Sequence, residues 1–392
     1  MTRFFRAGML AAVLLSGAAR AQTTLLLRVP AGTPASQPIY VAGSFNAWQP
    51  AAPAYALARQ PDGSYRLMLP ATVRGLQEFK FTRGSWTTGE ADTAYQPRPN
   101  RRAELGAGTL RLQVAAWQDQ RPGSLPTPAA SKAHTLTGHV QVLADSFAMP
   151  ALHGRKRRVW LYLPPDYSGM SLRRYPVLYL QDGQNVFDEA TSFSGEWGVD
   201  ETLSQLGAAG VAAASCIVVA IDNGGERRLD EYSPWVNPEL KKGGEGDAYV
   251  NFLCFTLKPY IDTHYRTLPD AAHTGIAGSS MGGLISLYAG LKYPMVFGRV
   301  GVFSPATWFA KDSLLAYERR HRPAPLASRF YFVAGSAESE TMLPLMTAAR
   351  DGLLARGVPA THIAFRTPAD GQHAEWFWRR EFGLALRFLL GE

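Results

Sequence analysis

The segment Gly278-Ser279-Ser280-Met281-Gly282 constrains this chain more than any other. It follows the apolar run 274–277 directly and opens a helical pattern near Gly283, so it must make a tight strand-to-helix turn. Glycines two before and two after Ser280 permit the strained backbone that exposes its hydroxyl, whereas Ser279 has Ala277 and Met281 at the same offsets. Taken alone, the five residues also read as an ordinary Gly/Ser turn; the strand before and the helix after favour the exposed serine. From His134 onward, near-continuous Val/Ile/Leu/Tyr runs at 159–163, 176–180, 216–221, 275–278, 300–303, 330–333 and 363–366 alternate with helical stretches at 199–206, 284–291, 342–354 and 375–389. Such runs mark strands buried on both faces of a mostly parallel sheet covered by helices. Residues 134–392 are therefore expected to form one doubly wound α/β domain.

Upstream the texture differs. The segments 25–29, 39–42, 65–69, 78–82 and 110–114 alternate apolar and polar residues between Gly, Pro and Asn turns, which predicts a small β-sandwich over residues 22–118. Residues 119–133, with Pro122, Gly123, Pro126 and Pro128, read as a linker. Residues 1–21 carry Arg3 and Arg6, an apolar run over 7–19, and Ala19-Arg20-Ala21 before Gln22, the pattern of a secretory signal peptide. The run is shorter than the ~20 apolar residues a bilayer span takes, so the mature chain is expected to be exported, to a bacterial periplasm or beyond, with no membrane span. Removing that leader lowers the formal charge from +8 to +5. The remaining bases lie singly or in short groups such as Arg155-Lys156-Arg157-Arg158, without interleaved aromatics, so nucleic acid is not an expected partner. Cys216 and Cys254 are too few for a disulfide framework and sit in apolar surroundings, as small core residues do.

A serine hydroxyl needs a base to activate it and an acid to orient the base. In strand–turn–helix sites of this kind the chain order is serine, acid, histidine. Of the histidines after Ser280, His373 lies in a loop between the last strand and the terminal helix, where it can reach the sheet's C-terminal edge; His362 precedes a strand, and His321 precedes any suitable acid. A surface loop histidine is the plainer role for His373, and Ser280 is what argues for a base. Just past strand 330–333 stand Glu338 and Glu340. Glu338, nearer the strand, is the candidate acid, while Glu340 also fits a helix N-terminus capped by Ser339. An acyl-transfer site further needs donors for the developing oxyanion. The Met281 N–H is one, and Gly183 or Gln184, in the loop after strand 176–180, offers the other. No metal-ligand spacing, P-loop or dinucleotide fingerprint is present, so neither a metal nor another cofactor is expected.

Five separated motifs occur in one order: Tyr179-Leu180-Gln181-Asp182-Gly183-Gln184-Asn185; Trp197-Gly198-Val199-Asp200; Ile221-Asp222-Asn223-Gly224 with Arg227, Glu231 and Tyr232; 278–283; and Gly371-Gln372-His373 with Trp376. Together they resemble the putative-esterase family of α/β-hydrolases, which includes enterochelin esterases, feruloyl esterases and mycolyltransferases. The resemblance implies a Ser280–His373–Glu338 triad, the acid closing a Gly-x-x-acid motif that starts at Gly335. The chain departs from many members at Gln181, where they carry histidine, and from some at Glu338, where they carry aspartate. The first unit is similar to family 48 carbohydrate-binding modules and kinase glycogen-binding domains through Val41-Ala42-Gly43-Ser44-Phe45-Asn46-Ala47-Trp48, Glu78-Phe79-Lys80-Phe81, Ser85-Trp86 and Asn100. That likeness implies an immunoglobulin-like sandwich in which Trp48 and Trp86 stack on sugar while Lys80 and Asn100 bond its hydroxyls. The alternative is that both tryptophans pack in the core or between domains. The expected activity is an exported serine carboxylic-ester hydrolase acting on a carbohydrate-linked acyl or feruloyl ester. A siderophore trilactone esterase and a non-catalytic glycan-binding protein are the alternatives.

Overall fold

The computed structural model describes residues 22–120, 132–320 and 327–391, apart from 47, 97, 99, 170, 171, 194 and 337. The expected leader at 1–21 and most of the expected linker at 119–133 lie outside the described residues. The chain divides into two compact units, residues 1–127 and 128–392.

The first unit comprises β1 (Thr23–Arg28), β2 (Ile39–Gly43), β3 (Ala56–Arg59), β4 (Tyr65–Met68), β5 (Gly75–Thr82), β6 (Glu90–Ala91), β7 (Arg101–Leu105), β8 (Gly108–Gln113) and β9 (Ala116–Trp117). The strand order is β7-β5-β2-β3-β4-β1-β8, with β6 and β9 paired separately. Strand β3 is the corner, because Leu57 and Ala56 pair with β2 while Ala58 and Arg59 pair with β4. It thereby joins two half-sheets around one core that takes Leu25 and Leu27 of β1, Val41 of β2, and Phe79 and Phe81 of β5. Residues of one parity point inward, which is the alternation the sequence displays.

The second unit contains β10 (Val140–Met149), β11 (Arg155–Tyr162), β12 (Val177–Gln181), β13 (Ile217–Ile221), β14 (Thr274–Ser279), β15 (Arg299–Phe303), β16 (Arg329–Val333) and β17 (Ile363–Arg366). Its helices are α1 (Val199–Ala208), α2 (Arg228–Glu231), α3 (Gly246–Phe252), α4 (Lys258–His264), α5 (Met281–Lys292), α6 (Lys311–Arg320), α7 (Met342–Ala355) and α8 (Glu375–Leu390). The sheet order is β10-β11-β13-β12-β14-β15-β16-β17, antiparallel at the β10 edge and parallel from β13 to β17. Both faces are buried. Val177, Tyr179, Val219 and Ile276 enter one core with α5 and the α3–α4 helix, and Leu178, Leu180, Val218 and Ala277 enter the other with α1 and α8.

The order also fixes where chemistry can sit. The chain leaves β12 toward β13 on one side and returns to β14 on the other, so the C-terminal ends of β12 and β14 flank the switch in strand order. The pairs Leu180↔Ala277, Ser279↔Phe303 and Phe303↔Val333 bring the loops after β12, β14, β15 and β16 to one rim.

The arginines of the basic run are paired: Arg155 bonds Glu231 at 3.0 Å and Glu245 at 2.5 Å, Arg157 pairs with the same buried Glu231, and Arg158 meets Asp145 at 2.8 Å. Cys216 and Cys254 are buried free thiols that desolvation pushes up to about 12, which makes them inert packing residues. No helix among the described residues is long and apolar enough to cross a membrane.

Candidate active site

Ser280 stands between β14 and α5 with φ 56° and ψ −120°, a region a non-glycine residue occupies at a cost of about 1–3 kcal/mol. The surroundings impose it. Its N–H donates to Phe303 O at 2.9 Å, and its carbonyl accepts from Ala306 N at 2.9 Å. A methyl group at Gly278 would lie 2.8 Å from Gln181 Cγ and 2.8 Å from the Gly282 carbonyl carbon, so the turn closes only around glycine. Ser280 is partly exposed, while Ser279 is buried at the end of β14.

His373 Nδ1 and Glu338 Oε2 are 2.9 Å apart. With a carboxylate as partner, Nδ1 carries the proton and the Nε2 lone pair is free to accept another. Glu338 is buried, and its other oxygen accepts from the Gly335 N–H at 2.6 Å and from Ser304 Oγ at 2.7 Å. Trp378 Nε1 donates to that same Ser304 Oγ at 2.9 Å, and its ring meets His373 edge-on at a centroid separation of 5.1 Å. Glu340 is exposed, and Ser339 Oγ accepts from the Met342 N–H at the start of α7. The Glu338 and His373 loops interlock through glycine: a methyl group on Gly371 would lie 2.6 Å from Gly335 Cα. Among the described residues, no hydrogen bond joins Ser280 Oγ to His373; apo sites of this type often tighten only around substrate.

Met281 opens α5, so its N–H has no acceptor within the helix. Gly183 and Gln184 open a short 3-10 turn after β12 for which the same holds. Gly183 is buried against β13, where a methyl group would lie 2.8 Å from the Ile221 carbonyl carbon, and Gln184 is partly exposed. Asp182 holds this turn through side chains. It receives Arg228 Nε at 2.6 Å, Arg228 Nη2 at 2.9 Å and Asn223 Nδ2 at 2.7 Å. The arginine is thus Arg228, and its neighbour Arg227 points to Asp230 at 3.7 Å. Gln181 is buried, its Oε1 accepting from Tyr249 OH at 2.5 Å.

Sequence reasoning missed Ser304, Trp378 and Arg228. Ser304 left a faint mark, a polar residue between a strand and Pro305, and the other two left none that separates them from their neighbours.

In the first unit, Trp48 and Trp86 lie side by side with ring centroids 6.1 Å apart and an interplanar angle of 44°. Both are half-buried, and the core tryptophan is Trp117, whose Nε1 donates to Thr33 Oγ1 at 2.8 Å. Lys80 projects opposite Phe79 and Phe81, and burial draws its ammonium pKa down against the pull of Glu90 and Glu78. Asn100 Nδ2 donates to Glu78 Oε2 at 3.1 Å.

The family profile described as putative esterase matches residues 150–387. The uncharacterized protein YbbA of Bacillus subtilis strain 168 is 27% identical over 248 residues, 60% of this chain and 93% of YbbA. A solved ferulic acid esterase superposes with a TM-score of 0.50 at 23% identity, covering 64% of this chain and 98% of its own. The enterobactin esterase of Shigella flexneri, solved in the presence of enterobactin, does so with a TM-score of 0.51 at 18% identity, covering 93% of this chain and 92% of its own. At these identities the two structures share the fold.

Proposed function

This chain belongs to the putative-esterase family, and from that premise we propose that it is a serine carboxylic-ester hydrolase working through an acyl-enzyme at Ser280. One observation carries the reading: a serine at positive φ on the strand-to-helix turn, with a histidine–carboxylate pair at 2.9 Å on the same rim of the sheet. In this mechanism Ser280 Oγ attacks the ester carbonyl and gives its proton to His373 Nε2. Glu338 holds the proton on Nδ1 and stabilises the imidazolium that forms. The N–H of Met281, with that of Gly183 or Gln184, receives the oxyanion as it develops. His373 then protonates the leaving alcohol and, once that departs, draws a proton from water as it attacks the acyl-enzyme.

The proposed substrate is an acyl or feruloyl ester on a polysaccharide, met outside the cytoplasm by an exported chain. The paired, non-core Trp48 and Trp86 support the carbohydrate link. A second reading, a siderophore trilactone esterase, is favoured by the likeness to the enterobactin esterase, which spans both units, whereas that to the ferulic acid esterase spans 64% of the chain. A panel of p-nitrophenyl, methyl hydroxycinnamate and trilactone esters separates the two. Ser280→Ala should lower kcat by roughly 10⁴-fold or more with an unchanged fold, and Ser279→Ala should keep substantial activity. Near-normal turnover by Ser280→Ala would end the proposal.

A further inference from the structure

Away from the triad, three acidic side chains converge where the chain enters α1. Glu196, Asp200 and Glu201 each place a carboxylate oxygen within 4.8 Å of the other two. Glu196 is 6% exposed and Asp200 0%, yet Glu196 Oε1 and Asp200 Oδ1 meet no donor from outside the three acids among the described residues. Glu201 Oε2 is likewise buried without such a donor, its nearest cation being Arg379 at 4.0 Å. The other oxygens are used: Asp200 Oδ2 accepts from the Thr137 N–H at 2.8 Å, and Glu196 Oε2 from Thr135 Oγ1 at 2.7 Å. Thr137 Oγ1 is itself buried and unpartnered. Unmatched buried carboxylate oxygens are costly, and here each of the three converging acids has one.

We propose that Glu196, Asp200 and Glu201 form a structural divalent-cation site of calcium-binding chemistry, which fastens the segment 135–137 to the start of α1. With all three carboxylates ionised around the ion, their charge less that of Arg379 leaves two negative charges, those of one divalent ion. The donors match as well. Carboxylate and hydroxyl oxygens are hard ligands suited to calcium, and an ion 2.3–2.6 Å from each accommodates oxygens up to about 5 Å apart. Among the described residues, none of the three carboxylates is hydrogen-bonded to Ser280 or His373. The site's loop, however, continues from Gly183 and Gln184, so the ion would also steady the turn that carries an oxyanion donor.

Full-length protein stripped with EDTA and dialysed against CaCl2 should take up one Ca²⁺ per chain at free Ca²⁺ near about 1 mM, the range of extracellular calcium modules. Its Tm should rise in calcium and fall again in EDTA, because only the folded state presents the three oxygens together. Asp200→Asn and Glu196→Gln should lose both the bound ion and the Tm response, while the exposed-acid control Glu340→Gln keeps them. If the buried variants fail to fold, Glu201→Gln, at a half-buried position, serves the same comparison. Wild-type protein that takes up no calcium, with the same Tm in calcium and EDTA, overturns the proposal and leaves shared protons as what holds the cluster together. Retained uptake by a folded Glu201→Gln together with a folded Asp200→Asn would overturn it equally.

Discussion

At the scale of single residues, the pair Glu338 and Glu340 shows how two positions decide a role. The first points inward and accepts on both oxygens, from His373, Ser304 and the Gly335 N–H; the second faces water. A buried carboxylate so bonded is held in one orientation and keeps the His373 proton on Nδ1. Glu338→Gln should therefore lower kcat by roughly 10²–10⁴-fold, whereas Glu340→Gln should leave it near normal. Ser304→Ala removes one donor to Glu338 and the acceptor of Trp378 Nε1, and it should give a smaller kcat loss with little change in KM. Steady-state kinetics on a p-nitrophenyl ester measure all three, and the reverse ranking of the two glutamates would move the acid to Glu340.

At the scale of elements, helices fold where local pattern and tertiary demand agree, and they escape sequence reading where the two conflict. The helical segment from α3 to α4 is one such case: Pro259, lacking an N–H, falls in its middle and argues for a break. The chain accommodates it with a π turn over Leu253–Leu257, and the buried Phe252, Leu257 and Ile261 keep it on the sheet. Strand β10, mostly exposed and bulged, lacks the apolar run that marks its neighbours. Between α6 and α7, Glu318 is 1% exposed with both oxygens unbonded, and burial pushes it up to about 8 against the attraction of Arg356 and Arg319. Its folded pKa exceeds the unfolded value near ~4.3, so the unfolded chain releases the proton first as pH rises. Stability should thus decline between about pH 4 and pH 8. Glu318→Gln should flatten that decline, as urea titrations across the window can show; an unchanged slope would place Glu318 in a solvated or well-paired state.

For the whole molecule, the question is what the first unit adds to the second. Trp48 and Trp86 are half-buried neighbours outside the core, so truncating them should cost well under the ~3–5 kcal/mol of a fully buried tryptophan. If they form a sugar platform, Trp48→Ala and Trp86→Ala in the full chain should slow hydrolysis of a polysaccharide-linked ester while leaving a soluble p-nitrophenyl ester and Tm nearly unchanged. A large drop in Tm with equal losses on both substrates would give the pair a packing role and remove the main support for carbohydrate targeting.

The sequence by itself determined the features whose physics is local. Alternation marked β1, β2, β4, β5 and β8 of the first unit, continuous apolar runs marked the strands of the second apart from β10, and glycines around Ser280 marked a turn where a serine adopts positive φ. These signals depend on neighbours a few residues apart, where backbone sterics and periodicity act. Only the tertiary structure decided which of two adjacent arginines reaches Asp182, that Ser304 and Trp378 brace an acid more than thirty residues from either, and that Glu196, Asp200 and Glu201 share one point with the segment at Thr135 and Thr137. Those contacts are set by sheet order and register, which bring together residues that no local pattern connects, because pairing one strand with another is a property of the whole core.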